Sequence, residues 1–95
     1  LIPPVNASLE IVKVEVQRGK VISVDILVKN YWKYTIRTEW MTLTIGKVSY
    51  IFYPSISAIE PRASAKVTLH LATPAPVGVV YVSLGQIKTF KVPGS

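Results

Sequence analysis

Alternation of apolar and polar residues is the feature that most limits what this chain can fold into. Val12, Val14 and Val16 alternate with Lys13 and Glu15, and Ile22, Val24, Ile26 and Val28 alternate with Ser23, Asp25 and Lys29. A period of two places one set of side chains on one face of an extended strand. Between the two runs stands Gln17-Arg18-Gly19-Lys20, a turn in which Gly19 is free to take positive φ. The spacing therefore predicts a hairpin.

The pattern repeats downstream. A loop over residues 30–34 leads to a third strand over about residues 35–45, and Gly46-Lys47 turns the chain into a fourth strand that ends at Pro54. Residues 54–64 read as irregular. Residues 65–71 form a fifth strand with Val67, Leu69 and Leu71 inward and Lys66, Thr68 and His70 outward. A loop with two prolines over residues 72–78, a sixth strand over 79–85 and a seventh after Gly85-Gln86 complete the chain. No stretch shows a 3.6-residue period, and seven prolines would interrupt one. Short strands at such even spacing predict an all-β protein, specifically a seven-stranded antiparallel immunoglobulin-like β-sandwich.

With 95 residues the chain is expected to be one domain. Residues 1–8 read as a linker following a removed N-terminal segment, because Pro3 and Pro4 fix φ and discourage helix. Residues 9–93 form the sandwich domain, and the closing Gly94-Ser95 is given no role. Hydrophobic residues make up 49% of the chain, yet they are spread in alternation. None of the runs approaches the roughly 18 apolar residues of a spanning helix. Cysteine is absent, so no disulfide or thiol chemistry is available.

The net charge of +6 invites nucleic acid, an anionic membrane or an acidic partner. The lysines stand apart in the sequence, however, as they do on solvated strand faces and blunted sheet edges. Catalysis finds few candidates. The carboxylates are Glu10, Glu15, Asp25, Glu39 and Glu60, and the one imidazole, His70, lies on the outer face of a strand. Glu15 and Asp25 fall on outward positions of adjacent strands and read as solvated surface acids. Nothing marks a nucleophile with an oriented base, a metal-ligand cluster or a phosphate-binding glycine loop. The chain is therefore expected not to be an enzyme and to use no cofactor and no metal. Asn6-Ala7-Ser8 fits the N-x-S/T glycosylation pattern, a weak signal when it stands alone.

The stretch Asn30 to Trp40 carries Tyr31, Trp32, Tyr34 and Trp40 with Lys33 and Arg37 between them. Base stacking over a basic groove would need neighbouring basic runs, which are missing, so no nucleic-acid partner is expected. Parity offers another use. On the third strand Met41, Leu43 and Ile45 share one face, and Ile36, Thr38, Trp40 and Thr42 share the other. On the sixth, Val80, Val82 and Leu84 oppose Val79 and Tyr81. The third and sixth strands of an immunoglobulin-type sandwich are neighbours. Their second faces would then merge into an apolar patch of Ile36, Trp40, Val79 and Tyr81, a protein-binding surface rich in aromatics. The competing arrangement makes Trp40 a core tryptophan, with a bulge shifting the parity. Tyr31, Trp32 and Tyr34 either cap the same sheet at its loop end or rest on the core.

The sequence VISVDILVKN, a strand ending in TLTIG, then AIEPRASAKVTLHL and PVGVVYVSLG resemble extracellular immunoglobulin-like adhesion modules. The likeness covers about residues 12–92, and Arg62 stands where that family often has glycine. Within this group the chain most resembles the soluble domain of archaellum accessory proteins, whose sandwich is related to that of archaellin. The resemblance implies a stator or anchor between membrane and surface layer, extracellular or in the cell envelope, held by a membrane segment outside this chain. Its implied partners are a second sandwich protein or a surface-layer protein, together with self-association into a homo-oligomer. The alternative is a carbohydrate-binding or adhesion module, or a filament subunit, with Tyr31, Trp32 and Tyr34 as the sugar platform.

Overall fold

A computed structural model describes residues 4–94. The expected all-β character is present, but the strands number ten in three sheets rather than seven in two. They are β1 (Ala7–Gln17), β2 (Lys20–Asn30), β3 (Ile36–Arg37), β4 (Met41–Ile45), β5 (Val48–Tyr50), β6 (Phe52–Pro54), β7 (Ala58–Ile59), β8 (Ser64–Pro76), β9 (Val80–Leu84) and β10 (Ile87–Lys91). One sheet has the order β1-β2-β8-β6, a second β10-β9-β4-β5, and β3 pairs with β7 alone. All pairings are antiparallel.

Each departure from the expected strands has a local cause. The predicted third strand breaks at a 3-10 turn, Thr38–Trp40, so Ile36 and Arg37 pair with β7 while Met41 starts afresh beside β9. Thr38 is drawn inward there. Its hydroxyl donates to the Ile56 carbonyl at 2.7 Å and its N–H to Ser57 O at 3.1 Å. The predicted fourth strand breaks at Ile51, where the chain changes sheets: Tyr50 lies opposite Leu43, and Phe52 opposite Leu71. The stretch expected to be irregular contributes β7, with Ile59 buried. The proline loop over 72–78 is instead largely the end of β8. Pro74 and Pro76 are exposed and flank buried Ala75, since the φ that proline imposes suits an extended chain.

The two four-stranded sheets close on one core. From the first come Val21, Val24, Ile26, Val28, Val67 and Leu69, and from the second Met41, Leu43, Ile45, Val80, Val82 and Leu84. Ile36 and Ile59 of the small sheet complete it. A bulge between Ile11 and Lys13 resets the parity of β1, so Val12 points away from the core and Ile11 and Val14 pack toward it. Hairpin chemistry fixes the registers. Gln17 pairs with Lys20 across Arg18 and Gly19, both at positive φ of 53° and 75°, as a type I′ turn requires.

The 3-10 turn gives Ile36 and Trp40 opposite environments, 0% and 48% exposed. Ile36→Ala is expected to cost about 3 kcal/mol in chemical denaturation through the cavity it leaves. Trp40→Ala is expected to cost less than about 1 kcal/mol, as surface changes do.

Candidate functional site

The aromatic loop is built on one buried amide. Asn30 ends β2 with 1% exposure. Its Nδ2 donates to the carbonyls of Tyr34 at 2.9 Å, Ile59 at 3.1 Å and Glu60 at 3.1 Å, and its Oδ1 accepts the Trp32 N–H at 2.8 Å. With two hydrogens for three carbonyls, one of those bonds is shared. The loop is tied a second time from the β7–β8 turn. There the Ala63 N–H donates to Glu60 O at 3.1 Å, Pro61 holds the first corner, and Arg62 sits at a left-handed φ of 65°. This is the form of a type II turn, whose second corner favours glycine. The arginine repays that cost by donating from a guanidinium nitrogen to the Tyr31 carbonyl at 2.8 Å.

On this frame Trp32 packs half-buried against the core and meets Tyr34 edge to face, centroids 4.9 Å apart at 79°. Lys33 Nζ lies 5.3 Å from the centre of the Tyr34 ring. Trp32 and Trp40 together line a shallow pocket of about 340 Å³ with Val5, Leu84 and Gly85. Val5 is fixed there by a two-point clasp. Gln86 Nε2 donates to Val5 O at 2.7 Å, and Gln86 Oε1 accepts the Val5 N–H at 3.3 Å. Tyr31 and Tyr34, each 48% exposed, stand on the same loop. The Tyr31 N–H donates to Asn6 O at 3.0 Å, which places the exposed Asn6 of the sequon beside the aromatics.

The structure does not bring together the four residues expected to form one sheet patch. Ile36 is in the core and cannot contribute surface. Trp40 lies at the end of β4 where Met41 faces Leu84, whereas Val79 is half-buried at the other end, where its carbonyl accepts the Gly46 N–H at 2.9 Å. Tyr81 lies between them on the outer face of the sheet, beside Phe90 with centroids 6.0 Å apart and planes tilted 36°. Nor is that outer face greasy throughout. Thr42 touches Ser83, Thr44 touches Ser49, and Tyr81 lines a depression of about 320 Å³ with Thr42, Thr44, Ser83 and Lys88. The sequence reading missed Phe90, Val5, Gln86 and above all Asn30. The signal for Asn30 was available: an amide at an inward position of the VISVDILVKN alternation must find buried partners.

Other groups considered for chemistry are dispersed or already engaged. Asp25 accepts a hydrogen bond from the Thr68 hydroxyl at 2.7 Å, and Glu15 pairs with Lys13 at 3.6 Å. His70 is exposed between Ser23 and Tyr53 on neighbouring strands. Among the described residues, no cluster of three or more His, Cys, Asp or Glu side chains could hold a metal.

Comparison with protein families, curated proteins and solved structures finds no match to any of them.

Asn30→Ala is expected to lower stability by about 3 kcal/mol, because it strands the Trp32 N–H and three carbonyls. The accompanying sign is a red shift of tryptophan fluorescence as Trp32 loses its place against the core. Equilibrium denaturation followed by fluorescence checks both.

Proposed function

We propose that this chain is a structural binding module that works outside the cytoplasmic membrane and joins other proteins without cofactor or catalysis. The observation that carries the reading is the aromatic end. Trp40, about half exposed, lines a pocket with Val5, Trp32, Leu84 and Gly85, and the half-exposed Tyr31 and Tyr34 stand on the loop that carries Trp32, Tyr34 in edge contact with it. Exposed rings held on a rigid frame give large contact area at little entropic cost, and such aromatics dominate binding hot spots. The sheet orders support an immunoglobulin-like form of the sandwich. Taking β3 and β4 as one interrupted strand, β1-β2-β8-β6 and β10-β9-β4-β5 correspond to the A-B-E-D and G-F-C-C′ orders.

The resemblance to archaellum accessory proteins makes the module an anchor or assembly component of a cell-surface filament machine. Its partners are then a second sandwich protein, a surface-layer protein or further copies of itself. Light scattering at high protein concentration is expected to report a dimer or larger assembly. Trp40→Lys is expected to give a monomer of unchanged thermal stability. A wild-type monomer, with Trp40→Lys alike in association, overturns the self-association and removes the aromatic end as its seat.

A second reading, a carbohydrate-binding module, is favoured by the outer face of the second sheet. Tyr81 and Phe90 form a tilted aromatic pair beside the hydroxyls of Thr42, Thr44 and Ser83, a combination that suits the apolar faces and hydroxyls of a sugar. On this reading a glycan array gives binding that Tyr81→Ala abolishes and Trp40→Ala leaves alone. Binding lost through Trp40 and kept in Tyr81→Ala assigns the sugar to the aromatic end instead.

A further inference from the structure

The end of the molecule remote from the two tryptophans has a different chemistry. The link from β8 to β9 crosses it, and its neighbours can be read along the way. Pro76 pairs with Lys20, Gly78 lies against Gly46 next to Lys47, and Val80 pairs with Lys91. The β1–β2 turn adds Arg18. Four cations therefore surround this crossing, and none of the five acids lies in the turns that form it. The nearest acid along β1, Glu15, pairs with Lys13.

Part of the surface at this end is aliphatic, and Arg18 and Lys20 line a separate depression with Gln17, Ile22 and Pro74. Val16, Val77 and Val92 are each exposed by nearly half. A pocket of about 270 Å³ lies among Val14, Val16, Val77, Val80 and Val92, with Lys91 at its wall.

Arg18 is the second observation. Its φ of 53° is the left-handed region, and the first corner of a type I′ turn strongly prefers Asn, Asp or Gly. The other left-handed arginine, Arg62, offsets its conformation with a bond to the Tyr31 carbonyl. Among the described residues, neither of the two ion pairs nor any side-chain hydrogen bond involves Arg18. A cation thus stands where backbone preference asks for another residue, as happens where strain serves binding.

We propose that this end docks an acidic protein surface that presents an aliphatic side chain among its carboxylates, the side chain entering the valine pocket and the carboxylates meeting Arg18, Lys20, Lys47 and Lys91. The two depressions meet at the end of β1, where Val16 lines one and Gln17 the other, and apolar area next to polar, charged side chains is the anatomy of a protein interface. The turns at this end carry no aromatic residue to stack a base or to sit at a lipid interface, which favours a protein over single-stranded nucleic acid or membrane. This surface and the aromatic end lie at opposite ends of β4 and β9, so either assignment can fail while the other stands.

The test is an NMR titration of the ¹⁵N-labelled chain with a synthetic peptide carrying one leucine flanked by glutamates. Saturable shifts are expected at the amides of Val16, Val77 and Lys91. Replacing the leucine by serine is expected to weaken binding about tenfold, from the lost aliphatic burial. Arg18→Asn and Lys20→Gln are each expected to weaken it roughly threefold. Thermal melts keep the result interpretable, because Arg18→Asn places a preferred residue in the turn and is expected to be at least as stable as the wild type. Absence of shifts at this end overturns the proposal. So does binding indifferent to both charge variants. Shifts with duplex DNA, or with vesicles of phosphatidylcholine and phosphatidylglycerol, but none with the peptide, overturn it in favour of a phosphate-bearing ligand.

Discussion

A single primary amide holds the aromatic end in shape. A loop of backbone approaching an apolar core must satisfy its carbonyls or stay away from it. Asn30 supplies the donors from the last position of β2, where the strand alternation already points inward. It reaches the loop at Trp32 and Tyr34 and the turn at Ile59 and Glu60. Its own N–H meanwhile donates to Ala63 O at 2.8 Å. Two segments that are distant in sequence become one rigid unit, and the orientation of Trp32, and through it the pocket wall shared with Trp40, follows from that unit. Aspartate could not substitute: an ionised carboxylate has no hydrogen to give and would face three carbonyl oxygens.

Most of the framework was legible from alternation and turn residues. The hairpins β1–β2, β4–β5 and β9–β10 fall at the expected turns, and Met41, Leu43, Ile45, Val80, Val82 and Leu84 face inward as the parity demanded. What the pattern could not carry is any event that adds or removes a residue from the count. The bulge at Val12 turns a valine outward. The 3-10 turn sends Ile36 and Trp40 to opposite sides, although four positions apart is an even number. Neither event is marked by glycine or proline. Thr38 shows why: its hydroxyl donates to Ile56 O, a partner eighteen positions away. A tertiary hydrogen bond decides the local parity, and a reading confined to neighbours in sequence cannot see it. The prolines of β8 misled in the opposite sense, since Pro74 and Pro76 end a strand without breaking it.

The candidate site was legible in part. Trp32 meets Tyr34 and shares a pocket with Trp40, and Tyr81 is exposed. Their union into one sheet face fails because β4 and β9 are each five residues long, a span of roughly 17 Å at the usual rise per residue. Trp40 and Val79 sit at opposite ends of that span, and the intervening face carries hydroxyls as well as Tyr81. The result is a molecule with chemically distinct ends and, between them, a flank of mixed hydroxyls and aromatics rather than a continuous apolar side.

The two left-handed arginines give this polarity its physical logic. Both occupy corners where a residue with a side chain incurs a backbone penalty of order 1 kcal/mol. At Arg62 the cost is offset inside the molecule, because the guanidinium braces the Tyr31 carbonyl and so the aromatic loop. At Arg18 no side-chain bond among the described residues offsets it, and the cost is borne by the backbone pairing of the hairpin, Gln17 opposite Lys20 and Val16 opposite Val21. Long cationic side chains on tight turns remain well hydrated and mobile, so they contribute little to the stability of the free chain. Their field acts on what approaches, and three lysines around the same crossing reinforce it. One end of the molecule thus carries exposed aromatic rings on a braced loop, and the other carries its cations in and beside tight turns.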